Sequence, residues 1–256
     1  MTNTEAVIRG TFPTLDEWQK RIGIPYAPSA DSPLAEDDKD WPVYPASQVA
    51  WMGLAGAVDN LMAIRRHIEI DELFSFAHLG LCRAALIGSA QATWILGPDS
   101  STDRISHART VLADMHQKQL QYLSGLVDSL DEPHENTALV HDHVQLRLDE
   151  LQAKRTAERQ KEKLNTTKMI TEAAEYAFDD PTLRNEVLLE WQATSGAAHG
   201  FVWPILGSPA SEVTSPTDES GLAAFTFGGS LDLISNAYCA AFELGKRGWA
   251  FLKERG

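Results

Sequence analysis

Apolar positions along this chain recur at helical spacing over most of its length, and one stretch is apolar on nearly every side. Leu73 to Gly97 carries a single charged residue, Arg83, and a helix without a polar face belongs at the centre of a bundle. His78, Arg83, Ser89, Gln91 and Thr93 interrupt it before the ~18 continuous apolar residues of a membrane span, so no membrane crossing is expected. Gly97-Pro98 ends it. Before it, from Ser47, Met52, Gly56, Leu61 and Ile68 mark the apolar side of another helix, and Gly53, Ala55, Gly56 and Ala57 are small enough to admit a close neighbour. After it, Asp99 to Asp103 cap a long amphipathic helix from Thr102 to Leu130, which Asp131-Glu-Pro133 should stop. A fourth helix starts near Asn136 on a stripe of Val140, Val144, Leu148 and Leu151. From Gln152 to Lys163 the stripe gives way to charged and amide residues, so this end is expected to project into solvent or meet a protein partner.

Thr166 opens a short helix reaching Phe178, and Asp179-Asp-Pro181 starts the next, with proline in the tolerated first turn. That helix should stop or kink at Gly200, because Pro204 cannot donate to the Gly200 carbonyl. Gly207 to Gly221 reads as a surface loop, Phe225-Thr-Phe as a brief extended piece, and Ser230 to Lys253 as the last helix. Residues 1–45 differ from the rest. Thr14-Leu-Asp-Glu17 has capping-box spacing for a short helix to Arg21, and the prolines at 25, 28, 33, 42 and 45 forbid regular helix beyond it. Between these prolines Glu36 to Asp40 reads as a solvated acidic patch, while Trp41 and Tyr44 should dock on the body. The predicted fold is therefore all-α: an irregular N-terminal arm, 1–45, followed by a single bundle domain of six or seven helices, 46–256.

Composition narrows the function. The chain has 256 residues, enough for a large core without disulfide or metal staples. A net charge of −14 opposes nucleic-acid phosphates, so no nucleic-acid partner is expected. Cys82 and Cys239 sit in apolar stretches without metal or redox spacing, which reads as buried thiols in a reducing setting. The N-terminus lacks a basic and an apolar signal region, which predicts a cytoplasmic protein.

Candidate chemistry gathers on two helices. At about 100° per residue, Arg184, Gln192, Ser195 and His199 share one face, while Ala193, Gly196, Ala197 and Gly200 form a small face for helix packing. Ser195 and His199 are one turn apart and can share a hydrogen bond. A serine nucleophile would need an elbow and an oxyanion hole, neither of which the sequence supplies, so this face is expected to be a buried polar anchor bordering a ligand cavity. Arg83, alone in an apolar helix, should pair with a helix-borne acid, most simply Glu190, or line a cavity beside His199. His67 and His78 could share a face but lack a third ligand in sequence, so no metal and no cofactor is expected.

Arg83-Ala-Ala-Leu-Ile-Gly-Ser-Ala-Gln-Ala-Thr-Trp94-Ile-Leu-Gly-Pro98, then Arg104, then Thr194-Ser195-Gly-Ala-Ala-His199-Gly200, resemble all-helical proteins common in actinobacteria and their mobile elements. These are distantly similar to the HEPN-like superfamily of helical bundles, and the resemblance covers roughly residues 47 to 254. It implies a non-catalytic helical module in defence, regulation, or ligand or partner binding, commonly a homodimer. Ile87 stands where related proteins carry an acid one turn after the first arginine. HEPN ribonucleases use an arginine followed after four to six residues by histidine, and Arg109-Thr-Val-Leu-Ala-Asp-Met-His116 matches that spacing. The resemblance thus implies an alternative, an RNase toxin using Arg109 and His116 exposed together at a cleft. A metal-dependent bundle enzyme is a further alternative.

Overall fold

The structure, a computed structural model, describes residues 2–129 and 135–256. It is all-α apart from one hairpin. Seven helices follow Pro45 among the described residues: α4 (Ala46–Glu69), α5 (Ser75–Leu96), α6 (Ser101–Ser129), α7 (Glu135–Ala157), α8 (Thr166–Ala177), α9 (Pro181–Ala198) and α10 (Leu231–Arg255). The stop expected at Asp131-Glu-Pro133 lies outside the described residues.

The uniformly apolar helix is the axis. α5 contacts α4, α6, α8, α9 and α10, and Leu79, Cys82, Leu86, Ala90 and Ile95 are buried along it. Among the described residues it alone has the length and hydropathy of a membrane-crossing helix, and 61% of that stretch is buried against its neighbours. Its closest partner is α4. A Cβ on Gly53 would lie 2.6 Å from the Gly88 carbonyl oxygen, so the two helices meet backbone to backbone. On the opposite side the Thr93 hydroxyl donates to the Leu244 carbonyl at 2.8 Å, tying α5 to α10.

The arm is more regular than its prolines suggested. It holds α1 (Asn3–Gly10), α2 (Phe12–Ile22) and α3 (Pro33–Asp38). Pro33, like Pro13 before it, falls in a first helical turn, where the missing N–H is no loss. Ser32 then caps α3 by accepting from the Ala35 N–H at 3.1 Å. The capping box at Thr14 is not where α2 starts, since Phe12 and Pro13 already lie in its first turn. Ile8, Leu15 and Trp18 are buried in the common core, with Trp18 stacked on Phe242 at 5.0 Å.

The acidic patch is likewise not solvated. Glu36 stays in water, but Asp37 is 1% exposed and Asp38 and Asp40 are half-buried. Asp37 accepts from Arg104 Nε at 2.6 Å and Nη2 at 3.1 Å, and from the Ser101 hydroxyl. Asp38 caps α4 by accepting from the Ser47 N–H at 2.9 Å and its hydroxyl at 2.6 Å. Asp40 binds Arg109 and Lys154. Three of the four acids thus turn inward: Asp37 and Asp40 meet basic partners on α6 and α7, and Asp38 meets the start of α4.

The segment 201–229 differs most from expectation. The surface loop contains β1 (Ser211–Ser215), which pairs antiparallel with β2 (Ala224–Phe227). Alternation over so few residues is too short to distinguish a strand from a loop.

Candidate functional site

Arg83 projects from the middle of α5 and is half-buried. Its Nε donates to the Ser195 hydroxyl at 3.2 Å, and its guanidinium carbon lies 4.9 Å from the Trp191 ring centroid. Both partners come from α9, and Trp191 is itself held by a 3.2 Å hydrogen bond from Nε1 to the Thr167 hydroxyl of α8. Among the described residues Arg83 makes no ion pair, and its terminal nitrogens have no protein partner. The expected pair with Glu190 does not form. Glu190 faces Asn236 on α10, and burial pushes its carboxyl above the usual carboxylate range.

Arg83 also lines a cleft of about 610 Å³ between α4, α5, α6 and the start of α8. Met52, Ile87, Met115, Leu164 and Met169 supply an apolar lining, and the Gly53–Gly88 crossing lies beside them. Asp114 and Lys118 also border the cleft, but they pair with each other at 2.8 Å, so Arg83 is the charge left unpaired there. A concave, mainly apolar space of that size with one unpaired charge has the anatomy of a small-molecule site. Methionine side chains adapt to irregular apolar shapes.

The α9 face does not behave as one unit. Ser195 is half-buried and engaged, but His199 and Gln192 are exposed, so neither is a buried anchor. The helix ends one residue before His199, and Gly200 takes φ +77° so that the Phe201 N–H can reach the Gly196 carbonyl at 3.0 Å. This turn carries the imidazole off the packed surface. No side-chain bond joins Ser195 to His199; only the His199 N–H meets the Ser195 carbonyl, at 3.2 Å. Arg184 donates to the Phe178 carbonyl at 2.7 Å and locks the α8–α9 turn. The small face is covered at Gly196 by the chain's own Trp203 and Pro204, not by a helix alone. The hydroxyl that is fully buried is Thr194, bonded to the Glu190 carbonyl at 2.7 Å.

Arg109 and His116 are sequestered instead of exposed. Arg109 is 3% exposed and clamped between Asp40, at 2.8 Å from Nε and 2.5 Å from Nη2, and Glu158. Burial opposes the Asp40 carboxylate, but Arg109 and Lys154 hold it below its ordinary range. With four N–H donors held by two carboxylates, the guanidinium has no pair of parallel donors left for a phosphate. His116 is 1% exposed, its ring meets Tyr44 edge-on at 5.3 Å, and neither ring nitrogen makes a hydrogen bond. The assignment of these two as a catalytic pair at an open cleft is therefore corrected: they join the arm to α6 and α7. The charged end of α7 takes part in the same network through Lys154 and Glu158, and Gln160 donates to the Ser106 carbonyl at 2.8 Å.

His67 and His78 do meet, with Nδ1 and Nε2 3.0 Å apart. The other nitrogen of His78 is 2.8 Å from the backbone of Phe74, at the start of α5. Among the described residues no group of three or more His, Cys, Asp or Glu is placed to hold a metal.

Burial holds His78, His107 and His116 below the ordinary histidine value of 6.5. A folded-state value below the unfolded one means that the unfolded chain takes up protons first as pH falls. The stability these rings contribute is complete above pH 6.5 and is lost as pH drops through and below it. Urea midpoints should therefore fall between about pH 7.5 and about pH 5.5, before most carboxylates titrate. A His116→Phe variant should show a shallower fall.

Sequence reasoning missed Asp37, Asp40 and Thr194, and no local signal distinguishes these from ordinary surface acids and a helix hydroxyl. No family model, curated protein or solved structure matches the chain.

Proposed function

We propose that this chain is a non-catalytic helical module that binds a small anionic ligand with an apolar body in the α4–α5–α6–α8 cleft. The distant HEPN-like resemblance belongs to the same proposal, since that superfamily includes inactive nucleotide-binding and scaffold members. One observation carries the reading: Arg83 is oriented by Ser195 and Trp191 at the wall of a mainly apolar cleft, yet among the described residues no carboxylate pairs with it, the cleft's own Asp114 being taken by Lys118. The desolvation a half-buried guanidinium suffers is ordinarily offset by an acid. Here a ligand's carboxylate, sulfonate or phosphate would take that place, with Met52, Met115 and Met169 around its apolar part. The burial of Arg109 and His116 gives no support to an RNA-cleaving reading.

The test is calorimetric titration with decanoate and with decanol, which share an apolar body and differ in charge. Decanoate should bind the wild-type chain more tightly. Arg83→Leu should weaken decanoate by roughly ten- to a hundredfold, as expected for a charge-assisted hydrogen bond of about 1.5–3 kcal/mol, and leave decanol unchanged. Equal affinities for the two probes, or an unaffected variant, would overturn the proposal.

A further inference from the structure

The hairpin between α9 and α10 leaves apolar surface that none of the described residues covers. Among the described residues, eight of the twenty exposed large hydrophobic side chains fall between Phe201 and Phe227. In the β1–β2 register Val213 stands opposite Phe225, and Phe227 lies two residues further along the same strand. Side chains alternate across a strand, so these three share one face, while Glu212 and its partner Thr226 share the other. Val213 is 60% exposed, Phe225 41% and Phe227 39%. Phe227 touches the body through Phe76, ring to ring at 5.7 Å, and Gly229 packs against the Leu73 and Phe74 backbone. The base of the hairpin is thus anchored while its apolar face remains open.

Two strands alone are marginal in water, and a third strand with an apolar face is what gives a small sheet stability. Both outer edges of this sheet are free among the described residues. The chemistry of the missing strand follows from charge. Between Arg184 and Lys246 the sequence has no lysine or arginine, and it has seven acids: Glu186, Glu190, Glu212, Asp218, Glu219, Asp232 and Glu243. A second copy placed here would bring like charges together, and an anionic lipid surface would meet no cation.

We infer that the β1–β2 hairpin is a docking site for an extended segment of a partner protein that alternates apolar with basic residues. Added at the sheet edge, such a strand satisfies the unpaired backbone groups. Its apolar side chains fall on the Val213, Phe225 and Phe227 face, and its lysines or arginines fall on the Glu212 face.

Fluorescence anisotropy with a labelled peptide of alternating leucine and lysine tests this, using a leucine and glutamate peptide as the control. The basic peptide should bind the full chain and the acidic one should not. Phe225→Ser should weaken binding at least tenfold with an unchanged urea midpoint, since Phe225 is exposed. That substitution leaves the net charge at −14, so attraction to the overall charge alone would survive it. Binding unaffected by Phe225→Ser, or no binding of the basic peptide, would overturn the inference. So would competition by zwitterionic vesicles, which would assign the face to a membrane. Sedimentation showing dimers that Phe225→Ser disperses would assign it to a second copy.

Discussion

Alanine at position 37 is expected to destabilise the fold by about 3–5 kcal/mol, the range for removing one partner of a buried ion pair. Asp37 and Arg104 are 1% and 2% exposed. Beyond the carboxylate, Arg104 Nη1 donates to the Pro98 carbonyl at 3.1 Å and the Asp99 carbonyl at 2.7 Å. One guanidinium thereby joins α3, the α5–α6 turn and α6. Without Asp37 it stays buried with an uncompensated charge, and the Ser101 hydroxyl loses its acceptor. Urea denaturation measures the loss, and a drop below about 1 kcal/mol would place the pair in water. Replacing both partners with apolar residues, Asp37→Leu with Arg104→Met, should recover much of it, because the penalty lies in the orphaned charge more than in the lost attraction.

The second large effect is at the helix crossing. Gly53→Ala should cost about 3 kcal/mol or more, although alanine favours helix over glycine by roughly 1 kcal/mol. The new methyl would lie 2.6 Å from the Gly88 carbonyl oxygen and 3.3 Å from Gln91 Nε2. A backbone oxygen cannot rotate away, so α4 and α5 must separate. Gly56→Ala, one turn along the same helix, supplies the control: no atom lies within 4 Å of its Cβ position, and the change should be neutral or slightly stabilising. Because Gly53 and Gly88 both line the Arg83 cleft, the Gly53 variant should also weaken decanoate binding. Equal stabilities for the two alanine variants would show that the helices do not meet there.

Much of the architecture was legible because its determinants are local. The all-round apolar stretch marks α5 as central, since a helix with no polar face can be solvated on no side. Helix ends were readable where a residue acts on its own backbone: Gly97 and Gly200 after α5 and α9, Pro181 in the first turn of α9, and Ser230, whose hydroxyl accepts from the Leu233 N–H at 3.2 Å. Arg83 was legible as anomalous, because one charge in an apolar helix needs a partner, a polar surface or a cavity.

The partners were not legible. Arg83 meets Ser195 across 112 residues, Arg104 meets Asp37 across 67, and Arg109 meets Asp40 across 69. Nothing near Asp37 or Asp40 in sequence separates a solvated acid from one aimed at a guanidinium. His199 shows the converse: periodicity places it one turn below Ser195, but the helix ends at Ala198 and the turn through Gly200 carries the ring outward.

By itself, then, the sequence determined the helical segments, the central place of α5 and the need to account for Arg83, because periodicity, capping and the cost of burying charge act within a few turns of chain. Only the tertiary structure decided which acids are buried, that Arg109 and His116 are closed off, and that Arg83 borders a cleft without a carboxylate. Each of those depends on which distant surfaces meet, and burial converts the same side chain from a solvated charge into a structural tie.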